Sequence, residues 1–450
     1  MATRRPHSLN LPISCAPRKA PCPTCGRLGR RKQVLVRRVR TLEYRRVAHL
    51  DITYGEYRAR CDCRATFRTH PPGVGLRDRY DAKVRQAVLD RILDDRMSVE
   101  AARASLRRDF LLELSDGFVY DCLREHAQTL DMADYRKWTL EGFSGTLCVD
   151  ELHLGRFTLL LATDPRRDRP VAFALVAKND ADHMRRFLKN LKAHGFTPQV
   201  VVTDGSNLYP ALLAELWPEA RHQLCVFHVL KDVNAKVLEA VRRLRRQMAR
   251  QGNRGRKRKR GRPAKTRTKR KGLTKKEKSH YVFKRRYLIV KRRDNLTDQE
   301  REDLATMLCY LPELATLRSF VDRLYGLFED GQSAHRAWCR RAALLRSAEF
   351  AAVPELASAI GMLTGEKFTK MIAFLASPAG HRVRTNNHVE RTNRRLRFLE
   401  KVRYKWRRRR TLVRFVVLTL DRWRRDDQTD QRASTPEAKS QKPPDSRKLA

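Results

Sequence analysis

Residues 145–180 read GTLCVDELHLGRFTLLLATDPRRDRPVAFALVAKND, three apolar runs separated by turns. The first, 146–149 (TLCV), runs directly into Asp150 and Glu151. The second is 157–163 (FTLLLAT), and the third, within 170–177, contains VAFALVA after a charged turn at 165–169. Short runs of this kind, bounded by Gly, Pro and charge, predict strands. Further along, Met184, Phe187, Leu188 and Leu191 recur at helical spacing and stop at Gly195. Residues 199–203 (QVVVT) predict a fourth strand ending in Asp204. Residues 208–216 predict a helix and 222–227 a fifth strand.

Three meandering strands followed by helix, strand, helix and strand predict a mixed α/β sheet of RNase H-like order. Asp150 and Asp204 each close an apolar strand, the end at which α/β sheets place ligands. Two carboxylates on neighbouring strands repel unless a cation lies between them, and hard oxygen ligands suit Mg²⁺ or Mn²⁺. A third acid completes a two-metal site for phosphoryl transfer. Glu390 is the candidate, in TNNHVERTN (385–393) at the start of a helix expected over 386–399. Asn386, Glu390 and Asn393 fall at i, i+4 and i+7 and share a polar face, while Val389, Leu396 and Leu399 form an apolar one. Strand alternation sends Glu151 to the side opposite Asp150. His228 follows the fifth strand in Cys225-Val-Phe-His228. This CxxH is half of a metal site with no second pair nearby in sequence. His228 reads either as a site residue beside the carboxylates, contacting DNA phosphate or the scissile group, or as a packed histidine at the sheet's end. Cys225 reads as core.

The 450 residues predict two to four domains, and an apolar fraction of 41% is enough for a sizeable core. The chain carries 98 Lys and Arg against 50 Asp and Glu, a net charge of +48 with a pI near 10.8. Such an excess points to a polyanion, nucleic acid first. No apolar run approaches the length of a membrane helix, and the first residues lack the apolar core of a secretory leader. A cytoplasmic, nucleoid-associated protein without membrane contact is therefore expected. Ten cysteines are too sparse for a disulfide framework. Within a head at 1–75, Cys22 and Cys25 precede two strands and Cys61 and Cys63 follow them, the layout of a zinc ribbon holding structural Zn²⁺. Cys15 is a spare thiol nearby. Residues 76–140 predict short helices, with Ser98 and Ser115 as N-caps, and suggest a helix-turn-helix with Arg103, Arg107 and Arg108 facing DNA. A plain helical connector is the other reading.

After a first catalytic segment at 141–228, residues 229–375 predict helices and contain the acid-free block 250–271. That block is expected to be disordered when free. Its Arg260-Gly-Arg262-Pro core reads as an AT-hook or as a generic phosphate-binding linker. Residues 376–425 return to the sheet with the Glu390 helix. Arg394 on it, and Arg407 in the basic run 405–410, are further DNA contacts. Residues 426–450 predict a flexible end.

Taken in order, CVDELHLG, VVTDGSNLYP, CVFHVLKDVN and TNNHVERTNRRLRFLEKVRYKW resemble the DDE transposases of bacterial insertion sequences. The resemblance spans roughly residues 20–425. It is to a branch with an N-terminal zinc ribbon and a helix-turn-helix, and to Mutator-like elements in the CxxH after the second Asp. It implies that Asp150, Asp204 and Glu390 hold the divalent ions and that a helical insertion separates the CxxH from the Glu. It also implies binding to terminal inverted repeats, phosphodiester hydrolysis, strand transfer into target DNA, and a dimer or larger assembly. The CxC in the head and the length of the basic block depart from the family pattern. The alternative is a zinc-ribbon transcriptional regulator derived from a transposase with an inactive catalytic domain; the presence of all three acids favours the enzyme.

Overall fold

The computed structural model of the chain describes residues 8–59, 65–253, 272–378, 380–402 and 408–434. The chain divides into two compact units, one of residues 1–135, 154–157 and 394–450, the other of residues 136–153 and 158–393.

The first unit begins with a five-stranded sheet of β1 (Ser8–Cys15), β2 (Lys19–Pro21), β3 (Leu28–Thr41), β4 (Val47–Arg58) and β5 (Thr66–Arg68), in the order β1-β4-β3-β2 with β5 on β4. β1, β2 and β5 are additions to the two strands the sequence predicts. β1 pairs with β4 in parallel, Ser8 opposite Val47 through Cys15 opposite Tyr54, a partnership with nothing local to announce it. Three capped helices follow, α1 (Ala82–Leu93), α2 (Val99–Phe110) and α3 (Asp116–Gln128). Ser98 and Ser115 accept the first free amides from Ala101 and Phe118 at 3.1 and 3.2 Å, as their positions predict. The helices share a core through Val84, Val88, Leu106 and Val119, which Leu418 of α16 (Arg409–Ser434) joins. That last helix continues to Ser434, beyond the expected boundary at 426; before that boundary Arg422 pairs with Asp94, and Arg424 with Asp134 at 2.7 Å.

α4 (Met132–Glu141) leads to the second sheet. Its strands are β6 (Thr146–Leu154), β7 (Phe157–Asp164), β8 (Arg169–Val176), β9 (Val200–Thr203) and β10 (Arg221–Leu224), in the order β10-β9-β6-β7-β8. β7 and β8 run antiparallel, whereas β9 is parallel to both β6 and β10. Leu159, Leu160 and Leu161 on β7 are fully buried, which is why that strand reads as one continuous apolar run. α5 (Ala181–Ala193) and α6 (Tyr209–Leu216) cover the face shown by Leu147 and Val149.

Between β10 and the last helix of this sheet lies a helical insertion with its own core. It comprises α7 (Val226–Asn253), α8 (Lys275–Arg285), α9 (Asp298–Tyr310), α10 (Leu314–Gly326), α11 (Ala334–Leu345), α12 (Ala348–Ala351), α13 (Pro354–Gly361) and α14 (Gly365–Met371). α9 and α10 are separated at Leu311, because Pro312 cannot continue the hydrogen-bond ladder. The fully buried Gln223 ties the insertion to β10. It donates to the Met371 carbonyl at 2.9 Å and accepts from the Phe374 amide at 2.6 Å. α15 (Asn387–Val402) then follows.

Candidate active site

The parallel register sets Asp150, in the middle of β6, against the C-terminal ends of β9 and β10; β6 itself runs on to Leu154, past the end expected at Asp150. Cys148 lies opposite Val202, so continuing the ladder one for one brings Asp150 level with Asp204. On the next strand Leu224 lies opposite Thr203, which brings Cys225 level with Asp204. The Cys225 amide donates to the Thr203 carbonyl at 2.8 Å and holds that level. α7 starts at once with Val226, so His228 stands on its first turn. Asp204 is steadied by its own loop, with the Ser206 amide donating to Oδ1 at 2.9 Å.

α15 reaches the same end of the sheet from far along the chain. The fully buried Asn386 donates through Nδ2 to the Val149 carbonyl at 3.0 Å, and its amide donates to the Cys225 sulfur at 3.2 Å. His388 meets Asp168, in the turn between β7 and β8, at 2.6 Å. Between these anchors and the next turn, Glu390 faces His228, with Oε1 3.5 Å from Nε2. One turn further, Asn393 donates through Nδ2 to Asp150 Oδ2 at 2.9 Å. The polar face of Asn386, Glu390 and Asn393 therefore turns toward the strand ends. Sequence spacing marked that face; it did not give Asn386 and Asn393 their partners, nor the anchor from His388 to Asp168.

The electrostatics follow from burial. Asp150 is pushed up to about 7, chiefly by desolvation, with the charges of Glu151 and Asp204 adding to the rise while the Glu151 amide and Asn393 oppose it. Glu151 is raised as well, mainly by burial. Its side chain accepts from the Tyr209 hydroxyl at 2.8 Å, on the α6 side of the sheet, as strand alternation predicts. His228 is raised, first by hydrogen bonding with Cys225 and then by the charges of Glu390 and Asp204, against the effect of its burial. Asp150 thus carries an unfavourable charge near neutral pH, a cost a bound cation would relieve. Glu390 Oε1 is buried with no hydrogen-bond partner, which leaves a lone pair available.

Cys225, His228 and Glu390 bring one ligand atom each within 4.8 Å of one another. Among the described residues, Asp150, Asp204 and Glu390 do not close to that distance as a trio. A pair of ions about 3.5–4 Å apart spreads its outer ligands more widely than one ion does.

The remaining predicted residues lie elsewhere. In the head, Cys22 is buried and Cys25 exposed in the turn between β2 and β3, where Gly26 adopts φ +72° and donates to the Cys22 carbonyl at 2.8 Å. The link between β4 and β5, which carries Cys61 and Cys63, opens at the same end of the sheet, because Arg58 at the close of β4 pairs with both Arg30 and Thr66. Cys61, Cys63, Arg260, Arg262 and Arg407 themselves lie outside the described residues. Arg103 is only half available, since it pairs with Asp116 at 2.6 Å and donates to the Leu114 carbonyl. Arg108 pairs with Asp109 at 3.0 Å, and Arg107 and Arg394 are exposed.

Residues 147–413 match a family described as Transposase, the ISL3 group of DDE transposases. The match includes every strand-end residue above, and the helical insertion and α15 with them. No curated protein matches the chain.

Proposed function

The chain belongs to the ISL3 group of DDE transposases, and from that premise we propose that Asp150, Asp204 and Glu390 are its catalytic acids. The observation that carries this reading is the parallel register of β6 and β9, which continued from Cys148 opposite Val202 brings Asp150 level with Asp204, with a helix anchored beside them that bears Glu390. The order β10-β9-β6-β7-β8 supports an RNase H-like core. The donor set is all oxygen, and one of its members, Asp150, is destabilised as an anion; both suit Mg²⁺ or Mn²⁺. When bound, such ions activate a nucleophile and stabilise the charge that develops at phosphorus. The chain's own residues do the positioning. Asn393 donates to one Asp150 oxygen and fixes the carboxylate, which would hold an ion together with Asp204 and Glu390. The Asn386 bond to the Val149 carbonyl sets the depth of α15, and with it the reach of Glu390. His228 adds a cationic group beside the acids, suited to a DNA phosphate.

Hydrolysis at an element end and strand transfer into target DNA are both in-line displacements at phosphorus and can share this site. Terminal-repeat binding falls to the head and to α1–α3. Support for a structural zinc there comes from the Cys22–Cys25 turn lying at the end of the sheet where β4 closes at Arg58 and β5 begins at Thr66. Synapsis of two ends requires a dimer or larger assembly. A regulator with a dead sheet is disfavoured, because nothing in the strand-end acids is missing.

The test separates chemistry from binding. Asp150→Asn, Asp204→Asn and Glu390→Gln should each lower end cleavage with Mg²⁺ by at least about 10²–10³ and leave gel-shift affinity for the terminal repeat intact. Glu151→Gln, which keeps an acceptor for Tyr209, should retain most of the activity. Parent-like cleavage by the three variants would overturn the assignment.

A further inference from the structure

The sequence offers half a metal site, Cys225-Val-Phe-His228, and the fold supplies a third ligand from far along the chain. We infer that Cys225, His228 and Glu390 form a thiolate–imidazole–carboxylate site for a soft divalent ion, zinc above all, distinct from the all-oxygen pair of Asp150 and Asp204. The distances point that way. The 3.5 Å between His228 Nε2 and Glu390 Oε1 is long for a hydrogen bond, and Glu390 Oε1 has no hydrogen-bond partner. Two ligand atoms bound at about 2.0–2.1 Å to one tetrahedral zinc stand roughly 3.4 Å apart, and a thiolate stands roughly 3.6 Å from its nitrogen co-ligand. The three atoms lie within 4.8 Å of one another, so closing on an ion needs only small side-chain rotations.

The supports are rigid in the way such a site requires. Cys225 is 1% exposed and fixed on both sides, by its own amide on the Thr203 carbonyl and by the Asn386 amide on its sulfur. His228 is three residues on, in the first turn of α7, and its Nδ1 is buried without a partner. Glu390 and His228 keep about a quarter and a third of their side-chain surface, which leaves a route in for the ion and room for a water as fourth ligand. Sulfur, nitrogen and a single carboxylate oxygen select zinc over Mg²⁺, which takes oxygen. Binding displaces the Cys225 thiol proton to solvent, and the thiolate takes its place on the metal. Zinc held here occupies the Glu390 carboxylate that the hard ions require, so the two kinds of site compete for one residue.

The experiment needs no DNA and no catalysis, so its outcome is independent of the transposase chemistry. Full-length parent, Cys225→Ser and His228→Ala are loaded with ZnCl₂, dialysed, and their zinc per chain measured. Each variant should hold about one ion fewer than the parent. Titration of metal-depleted parent with CoCl₂ should give a thiolate-to-cobalt charge-transfer band that is weaker in both variants. Comparison with the parent subtracts any ion held in the head. Cys225 is buried and its replacement can disturb packing, so His228→Ala, at a half-exposed position, decides if Cys225→Ser fails to fold. Equal zinc content and equal cobalt spectra in parent and His228→Ala would overturn the inference.

Discussion

At the scale of single residues, the site is governed by what burial does to one carboxyl. Burial pushes Asp150 up to about 7, against 3.8 for an ordinary aspartate, because desolvation penalises its charge. A folded pKa raised above the unfolded one contributes stability that is fully present below about pH 4 and is lost as pH climbs through 7. Glu151 shifts in the same direction. A divalent ion reverses the balance by pairing with the ionised form. Addition of Mg²⁺ should therefore raise the melting temperature more at pH 8 than at pH 6, and Asp150→Asn should remove that difference. Differential scanning fluorimetry at the two pH values reads it directly. An Mg²⁺ shift independent of pH in the parent would show that Asp150 is not a ligand.

At the scale of elements, one helix is brought to a sheet by side chains that do nothing else. α15 gains its place through Asn386 on the Val149 carbonyl and His388 on Asp168. Asn386→Ala leaves the buried Val149 carbonyl without this donor, at a cost of about 1–3 kcal/mol. Urea denaturation should show that loss, and end cleavage should fall with it, since Glu390 rides on the same helix. A stability within about 0.5 kcal/mol of the parent would mean that α15 is held by its apolar face alone. The head shows the same economy: β1 is added in parallel to β4, and Gly26 at φ +72° forms the tight turn of Cys22 and Cys25 in a conformation that L side chains rarely adopt.

At the scale of the whole molecule, charge dominates. A net +48 opposes any acidic cluster to a positive surround and draws a polyanion toward it. The densest part of that charge, the acid-free block 250–271, runs in sequence from the last residues of α7 toward α8 and contains Arg260 and Arg262. Deleting it should weaken DNA binding and flatten its salt dependence, by about 0.9 in the slope of log K against log salt for each phosphate it would otherwise neutralise. An unchanged slope in a filter-binding series would exclude this segment from the DNA interface. Among the described residues, no helix is long and apolar enough to cross a membrane.

Local chemistry in the sequence was enough to mark four strands of the second sheet, the caps at Ser98 and Ser115, and the polar face of the Glu390 helix; the fifth strand, expected over 222–227, ends at Leu224, and Val226 and Phe227 already belong to α7. Each rests on periodicity or on a side chain bonding to a backbone a few residues away. The position of Asp204 after the end of β9 was legible for the same reason, since its apolar run ends where the carboxylate begins; that of Asp150 was not, because β6 continues to Leu154 beside β7 after β9 has stopped. The neighbours of those acids were not legible either. Cys225 reads as core by its type and is buried, yet its sulfur faces Glu390 and the Asn386 amide, because β10 ends level with Asp204. Asn393 meets Asp150, and Asn386 the Val149 carbonyl, across more than two hundred residues of chain, where no local pattern reaches. Sequence periodicity decides which face a residue presents; only the parallel register of β6, β9 and β10 and the return of α15 decide what that face meets.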